Sequence, residues 1–213
     1  MRKHWIFDFD GTLVNTDGFF MESIGYALEP FGKTPGETFI EDIRHKHPTA
    51  IFDHMLNPKE ASEALNRLRE KGKDLVERTN LFEGIEDVLL TLSNQGSRIS
   101  IWTGRDRFSA VAILENTGIK KYFDQIVSGT CVPNNKPQHD GLYEISKYFG
   151  VGYQSLSVVG DHHHDIAPAN DLGCLSVHAR WKETPHDLPG DLKADKSFDC
   201  VNKFHDWIKK SHG

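Results

Sequence analysis

Cysteine is scarce in this 213-residue chain: there are three, Cys131, Cys174 and Cys200, with no close-spaced pair among them. An odd, scattered set implies no disulfide framework and fits reduced thiols in a reducing compartment. Long hydrophobic runs are missing as well. No stretch reaches the roughly 18 apolar residues of a membrane-spanning helix. Positive charge is not in excess either. A net charge of −6 gives no general attraction for nucleic acid or an anionic membrane, so an anionic ligand must be held by a local positive site. Internal repeats and low-complexity tracts are absent. The first apolar run starts at residue 4, which leaves no room for a signal peptide and makes the cytoplasm the expected location. What is present, 38% hydrophobic and 26% charged residues, describes a globular chain with one substantial core plus a smaller domain.

Short apolar runs punctuate the sequence, each followed by polar or glycine residues and then a helical pattern. They are HWIF (4–7), RISIW (98–102), FDQIV (123–127), LSVV (156–159) and CLSV (174–177). Strands alternating with helices predict an α/β fold with a Rossmann-like parallel sheet. Between the runs, Ile85, Val88, Leu89 and Leu92 keep helical spacing, as do Leu142, Ile145 and Phe149. Phe108, Val111 and Ala112 with the polar Glu115 suggest another helix face. Gly96, Gly118, Gly150 and Gly173 fall where helices are expected to stop.

The alternation breaks between about Asn15 and Phe82. This stretch has no convincing strand and one long amphipathic pattern, with Ala61, Ala64, Leu65, Leu68, Gly72, Leu75 and Val76 on one face. Residues 37–46 and 50–56 are shorter helical candidates, set apart by Pro35, Pro48 and Pro58. The expected organisation is an α/β core of residues 1–14 and 83–213, with an all-helical insertion at 15–82.

Two carboxylates, Asp8 and Asp10, follow the first apolar run. Carboxylates are rarely buried unless paired or bound to a metal. Taken alone, the pair fits equally a strand that ends at Phe7 and leaves both in a solvated turn. The other strand ends change the weight of the observation. In a parallel sheet all carboxyl ends lie on one edge, and ligands of open α/β folds bind outside it. After the second run come Thr103, Gly104 and Arg105; beyond the third lies Lys136; after the fourth come Asp161 and Asp165. Carboxylates, a hydroxyl with adjacent backbone N–H groups, and an ammonium are thus expected to converge. Clustered carboxylates repel one another unless a cation sits between them, and an all-oxygen set suits Mg²⁺ sharing its shell with a phosphate. Lys136 and the start of the helix after Thr103 add positive potential for that phosphate. One aspartate could attack phosphorus while the other moves protons.

DFDGTLV with Asp8, Asp10 and Thr12, IWTGR with Thr103, Lys136 followed by Pro137, and VVGDHHHDI with Asp161 and Asp165 resemble the four ordered motifs of the haloacid dehalogenase-like hydrolases. The resemblance covers the whole chain. Its insertion is similar to the helical cap of the phosphoglycolate phosphatase-like branch. The resemblance implies a Mg²⁺-dependent phosphatase acting on a small phosphorylated metabolite through an aspartyl-phosphate, with no nucleic-acid or membrane partner. It makes Asp8 the nucleophile and a metal ligand, and Asp10 the general acid/base with its backbone carbonyl on the metal. Asp161 and Asp165 complete the metal set. Phe9, Asp10, Thr103, Gly104 and Lys136 would line the phosphoryl site, Thr103 and Lys136 binding its oxygens and Lys136 also holding Asp8. Thr12 would orient the first loop, and the cap would exclude water and contact the leaving group. Dehalogenases lack an acid at the position of Asp10, which favours phosphate-ester hydrolysis. A sugar phosphomutase would use the same two aspartates, and a non-catalytic phosphate-binding protein would keep the same groups without turnover.

Several features stand outside these motifs. His162, His163 and His164 lie between two metal-site aspartates, where they could draw a transition ion or merely face solvent. Arg44 to Pro48, RHKHP, is a basic cluster that could attract an anionic substrate or be a solvated face. Arg105 could assist phosphate binding or be a surface residue of a helix. Phe19 or Phe20 could contact substrate or belong to the core. Residues 178–195 form a long connection that could rim the site.

Overall fold

The computed structural model describes residues 4–34 and 48–211, and divides the chain into two compact units, residues 1–15 with 80–213 and residues 16–79. Among the described residues, no helix is long and apolar enough to cross a membrane.

The larger unit is built on six parallel strands: β1 (His4–Phe7), β4 (Arg98–Trp102), β5 (Gln125–Val127), β6 (Leu156–Gly160), β7 (Leu175–Ala179) and β8 (Lys196–Phe198). Their spatial order is β5-β4-β1-β6-β7-β8. The chain therefore fills one side of β1 first and the other side afterwards, which makes the carboxyl end of β1 the point where the strand order reverses. Register follows the short apolar runs: Phe7 pairs with Ile101 on one side and Val159 on the other.

Alternation along β1 sends its side chains to two faces. Trp5 and Phe7 meet Phe204 of the C-terminal helix α8 (Val201–Ser211), with ring centroids 6.0 and 6.3 Å apart. Helix α4 (Ile85–Asn94) packs on β4 and against α8. On the opposite face Ile6 joins Trp102, Leu142, Ile145, Val158 and Ala169 in one cluster. Helices α6 (Asp140–Phe149) and α7 (His163–Asp171) supply that layer. The four glycines expected to stop helices, at 96, 118, 150 and 173, all have positive φ, a backbone region that costs glycine least.

Three readings of the core are corrected. In α5 (Arg107–Asn116) the buried residues are Ala110, Ile113 and Leu114, while Phe108 is 86% exposed. The N-cap Asp106, which accepts the Ser109 N–H, and Arg107, which donates to the Ile126 carbonyl, set the helix rotation instead of the largest apolar side chain. Residues 178 and 179 belong to β7, and a sixth strand, β8, ends the sheet. The stretch thought to lack strands is bounded by two of them. β2 (Val14–Asn15) pairs antiparallel with β3 (Asn80–Leu81). This pairing places Asn80 and Leu81 with the core, three residues before the expected boundary at 83.

The smaller unit comprises α1 (Asp17–Leu28), α2 (Pro48–Met55) and α3 (Pro58–Arg78) among its described residues. Asn57 caps α3: its side-chain oxygen accepts the N–H groups of Lys59 and Glu60, and Glu60 accepts the Asn57 N–H in return. Such a box satisfies donors that the first turn leaves without helical partners. Ala61 and Ala64 of α3 are buried with Ile24, Leu28, Ile51 and Phe52, and Leu65 and Leu68 flank them. The apolar stripe is thus core. Phe19 packs beneath Arg78, whose guanidinium carbon lies 5.1 Å from the ring centroid. The helical candidate at 37–46 and residues 44–47 of the basic cluster lie outside the described residues, as does the side chain of Phe20.

Candidate active site

The first loop is shaped by hydrogen bonds that turn the chain at the end of β1. The Asp8 N–H still donates to the Val159 carbonyl at 2.8 Å, so the nucleophile candidate extends the ladder and inherits the rigidity of the central strand. The Phe9 carbonyl then accepts from Leu13 and Val14, and the Trp181 indole N–H donates to the Thr12 carbonyl at 3.0 Å. Phe9 is wholly buried. Gly11 has φ +81°, and a Cβ there would come 2.4 Å from Asp161 Oδ2. Gly160 is under the same constraint, since its Cβ would fall 2.3 Å from Asp165 Cγ. Glycine is what lets the carboxylates sit so close to the backbone.

Asp8, Asp161 and Asp165 offer carboxylate oxygens that all lie within 4.8 Å of one another. Asp161 and Asp165 are buried, and the Asp8 side chain keeps 12% exposure. Two lysines hold the set. Lys136 Nζ lies 2.6 Å from Asp8 Oδ1 and also donates to Asp165. Lys182 Nζ lies 3.1 Å from Asp161 Oδ2. The second oxygen of Asp165 accepts the His162 N–H at the start of α7, where a carboxylate also meets the positive end of the helix dipole. The Asp161 backbone carbonyl is 3.3 Å from His178 Nε2.

Charge follows from this crowding. Burial drives the Asp8 carboxyl well above the usual carboxylate range, Asp165 and Asp161 push it further, and Lys136 pulls it back only in part. For Lys136, burial works to lower the ammonium, but Asp165 and Asp8 outweigh it and raise it. The site carries more negative charge than its lysines relieve. An oxygen-only donor set of this kind fits a hard divalent cation.

Thr103 is buried at the end of β4, and its hydroxyl accepts the Arg105 N–H at 3.1 Å. Gly104 beside it is exposed. Arg105 precedes α5 and is not on its surface. Its guanidinium grips Asp10 through two bonds, Nε to Oδ2 at 3.0 Å and an Nη to Oδ1 at 2.6 Å. Sequence reasoning had named Arg105 without this partner and had missed Lys182 and His178. The rule that chemistry follows a strand's carboxyl end also applies to β7, and with that strand ending at Ala179 it points to Lys182. Reading the strand as ending at Val177 leaves both His178 and Lys182 in the connection 178–195, whose role the sequence does not resolve.

The sequence matches the family described as haloacid dehalogenase-like hydrolase over residues 5–179. The chain belongs to this family. It is an enzyme, a phosphatase of the family. Pyrophosphatase PpaX of Halalkalibacterium halodurans is 30% identical over 174 residues, 79% of each chain. A phosphoglycolate phosphatase of Haemophilus influenzae is 27% identical, covering 80% of this chain and 82% of its own. Crystalline CbbY of Rhodobacter sphaeroides, in complex with xylulose-1,5-bisphosphate, superposes with a TM-score of 0.80 at 18% identity, over 94% of this chain and 95% of its own. That likeness is one of fold.

Proposed function

We propose that this phosphatase hydrolyses a small phosphomonoester in the cytoplasm, in a Mg²⁺-dependent reaction through an aspartyl-phosphate on Asp8. The observation that carries the reading is Asp8 itself: a carboxylate at the end of the central strand, held by Lys136 and facing Asp161 and Asp165. Asp8, Asp161 and Asp165, with the Asp10 carbonyl, would hold the divalent ion. When bound, it supplies positive charge for the phosphoryl oxygens.

In the first step an Asp8 oxygen forms a bond to phosphorus as the bond to the leaving oxygen breaks. Asp10 gives its proton to that oxygen. In the second step Asp10 takes a proton from water, the water oxygen bonds to phosphorus, and the bond to Asp8 breaks. Inorganic phosphate leaves and both aspartates are restored. Thr103, the backbone N–H groups at Phe9 and Gly104, and Lys136 bind the phosphoryl oxygens in this scheme. Arg105 occupies both oxygens of Asp10, so proton delivery requires that fork to loosen.

Phosphate release from pyrophosphate, phosphoglycolate, sugar phosphates and an aryl phosphate, with and without Mg²⁺, tests the reading. A sugar phosphate isomerised with little free phosphate would instead establish a mutase, and no turnover of any of them would sink the proposal. The role of Asp10 has its own signature. Asp10→Asn should lose about 10²–10⁴-fold on alkyl phosphates, whose leaving oxygen needs a proton, and far less on an aryl phosphate. An equal loss on both would remove Asp10 from the proton path.

Lys182 competes with any cation for Asp161. At about 5 Å and an effective dielectric constant near 20, one unit charge is worth about 3 kcal/mol against another, and partial screening reduces this. Lys182→Met should therefore bind Mn²⁺ about tenfold more tightly, measured by calorimetry. Unchanged or weaker binding would show that Lys182 positions Asp161 without opposing the ion.

A further inference from the structure

His162, His163 and His164 form a cluster that the proposed phosphatase chemistry does not use. Consecutive residues inside a helix point about 100° apart, yet these three rings lie against one another, with centroids 4.0, 4.2 and 4.4 Å apart. The backbone explains the convergence. His162 is the N-cap of α7, in extended conformation with φ −127° and ψ 155°, and the helix begins at His163. The chain thus bends between the first ring and the next two.

Each ring offers a nitrogen, and the three nitrogens lie within 4.8 Å of one another. All three residues are half-buried. His186 stands beside them, its ring perpendicular to that of His162 with centroids 5.1 Å apart. Imidazole is a poor donor for Mg²⁺ and a good one for Zn²⁺, Co²⁺ and their neighbours. The oxygen-only set of Asp8, Asp161 and Asp165 has the opposite preference.

We propose that His162, His163 and His164 form a second metal site, which takes a single borderline transition ion such as Zn²⁺ or Co²⁺ and leaves at least one coordination position to water. Tetrahedral ligation at Zn–N distances of about 2.0–2.1 Å brings ligand nitrogens to about 3.3 Å apart, against a spacing within 4.8 Å in the structure. His162 Nδ1 accepts the His164 N–H at 3.2 Å. Ligation through its other nitrogen moves the ring proton to Nδ1 and releases that bond, so occupancy of the site is coupled to the cap of α7. His186 is the nearest further imidazole.

The test is a Co²⁺ titration of the full chain in a large excess of Mg²⁺, read by visible absorption, with Zn²⁺ competition by calorimetry. One equivalent should bind with a d–d spectrum that Mg²⁺ does not displace. The double variant His163→Gln with His164→Gln should weaken it by at least about 100-fold, and Asp8→Asn should leave it in place. A second reading needs no variant: Zn²⁺ should protect these histidines in the wild type from diethyl pyrocarbonate, measured by peptide mass. Co²⁺ binding that Mg²⁺ displaces, binding that survives the His variants, or binding that disappears with Asp8→Asn would assign the ion to the carboxylates and overturn the proposal. So would absence of protection.

Discussion

Asp8→Asn should abolish phosphate release, by about 10⁴-fold or more, while the metal-free protein becomes more stable. The first half follows from the nucleophilic role proposed for Asp8. The amide keeps the shape and can still accept the Lys136 bond, but it cannot form the acyl phosphate. The second half follows from the cost of the carboxylate. Burial, Asp165 and Asp161 together hold the Asp8 carboxyl above its ordinary range, so ionising it in the folded protein costs free energy that the unfolded chain does not incur. That cost is present at neutral pH, well above the unfolded value of about 3.9. It fades as the pH falls below that value, where the carboxyl is protonated in both states. Asparagine removes it. A gain of about 0.5–2 kcal/mol, or roughly 2–4 °C in Tm per kcal/mol for a chain of this length, should be seen at pH 7 without metal and vanish near pH 3. An Asp8→Asn protein that melts below the wild type at pH 7 would contradict the electrostatic account, and one that still releases phosphate would contradict the role of Asp8.

Lys136→Met should be the more damaging change to the fold. Lys136 Nζ lies between Asp8 and Asp165 with a side-chain exposure of 9%, so its loss leaves two carboxylates facing each other without the ammonium between them. Breaking a buried pair in this way costs about 3–5 kcal/mol, and turnover should fall with it because Asp8 loses the ammonium hydrogen-bonded to it. The pH dependence has a definite sign. Lys136 lowers the Asp8 carboxyl, so in the variant that group rises further, and the stability deficit shrinks as acid protonates Asp8. Divalent cations should raise the Tm of the variant more than that of the wild type. Melting curves across pH with and without Mg²⁺ decide the matter; a deficit that is flat in pH and indifferent to Mg²⁺ would mean that Lys136 acts by packing, through its contact 4.7 Å from the Trp102 ring centroid.

The parts of this chain that were legible in the sequence are those with a strong period or a sharp boundary. β1 and β4 were found to the residue because each is an apolar run with an abrupt polar or glycine end. The carboxyl-edge rule also gathers Asp8, Lys136, Asp161 and Asp165, whose side chains lie together. β8 escaped because Lys196, Ser197 and Phe198 form a three-residue edge strand with two exposed members, too short to show alternation. The face of α5 was misjudged because Phe108 is the bulkiest apolar residue there, whereas Ala110, Ile113 and Leu114 form the stripe that the caps turn inward. Arg105 illustrates a deeper limit. Its charge was visible, but a bidentate pairing across 95 positions leaves no trace in local spacing.

The short ribbon of β2 and β3 bears on how such a protein can change. Val14 sits opposite Leu81 and Asn15 opposite Asn80, so the chain leaves the core and re-enters it through neighbouring residues, with Cα atoms about 4.5–5.5 Å apart. To the sheet, residues 16–79 are topologically no more than a hairpin loop. A tight turn could close the same gap, and so could any inserted unit whose own ends meet. The strands of the sheet would keep their register through such an exchange, which makes the insertion the part of the chain most open to replacement by recombination.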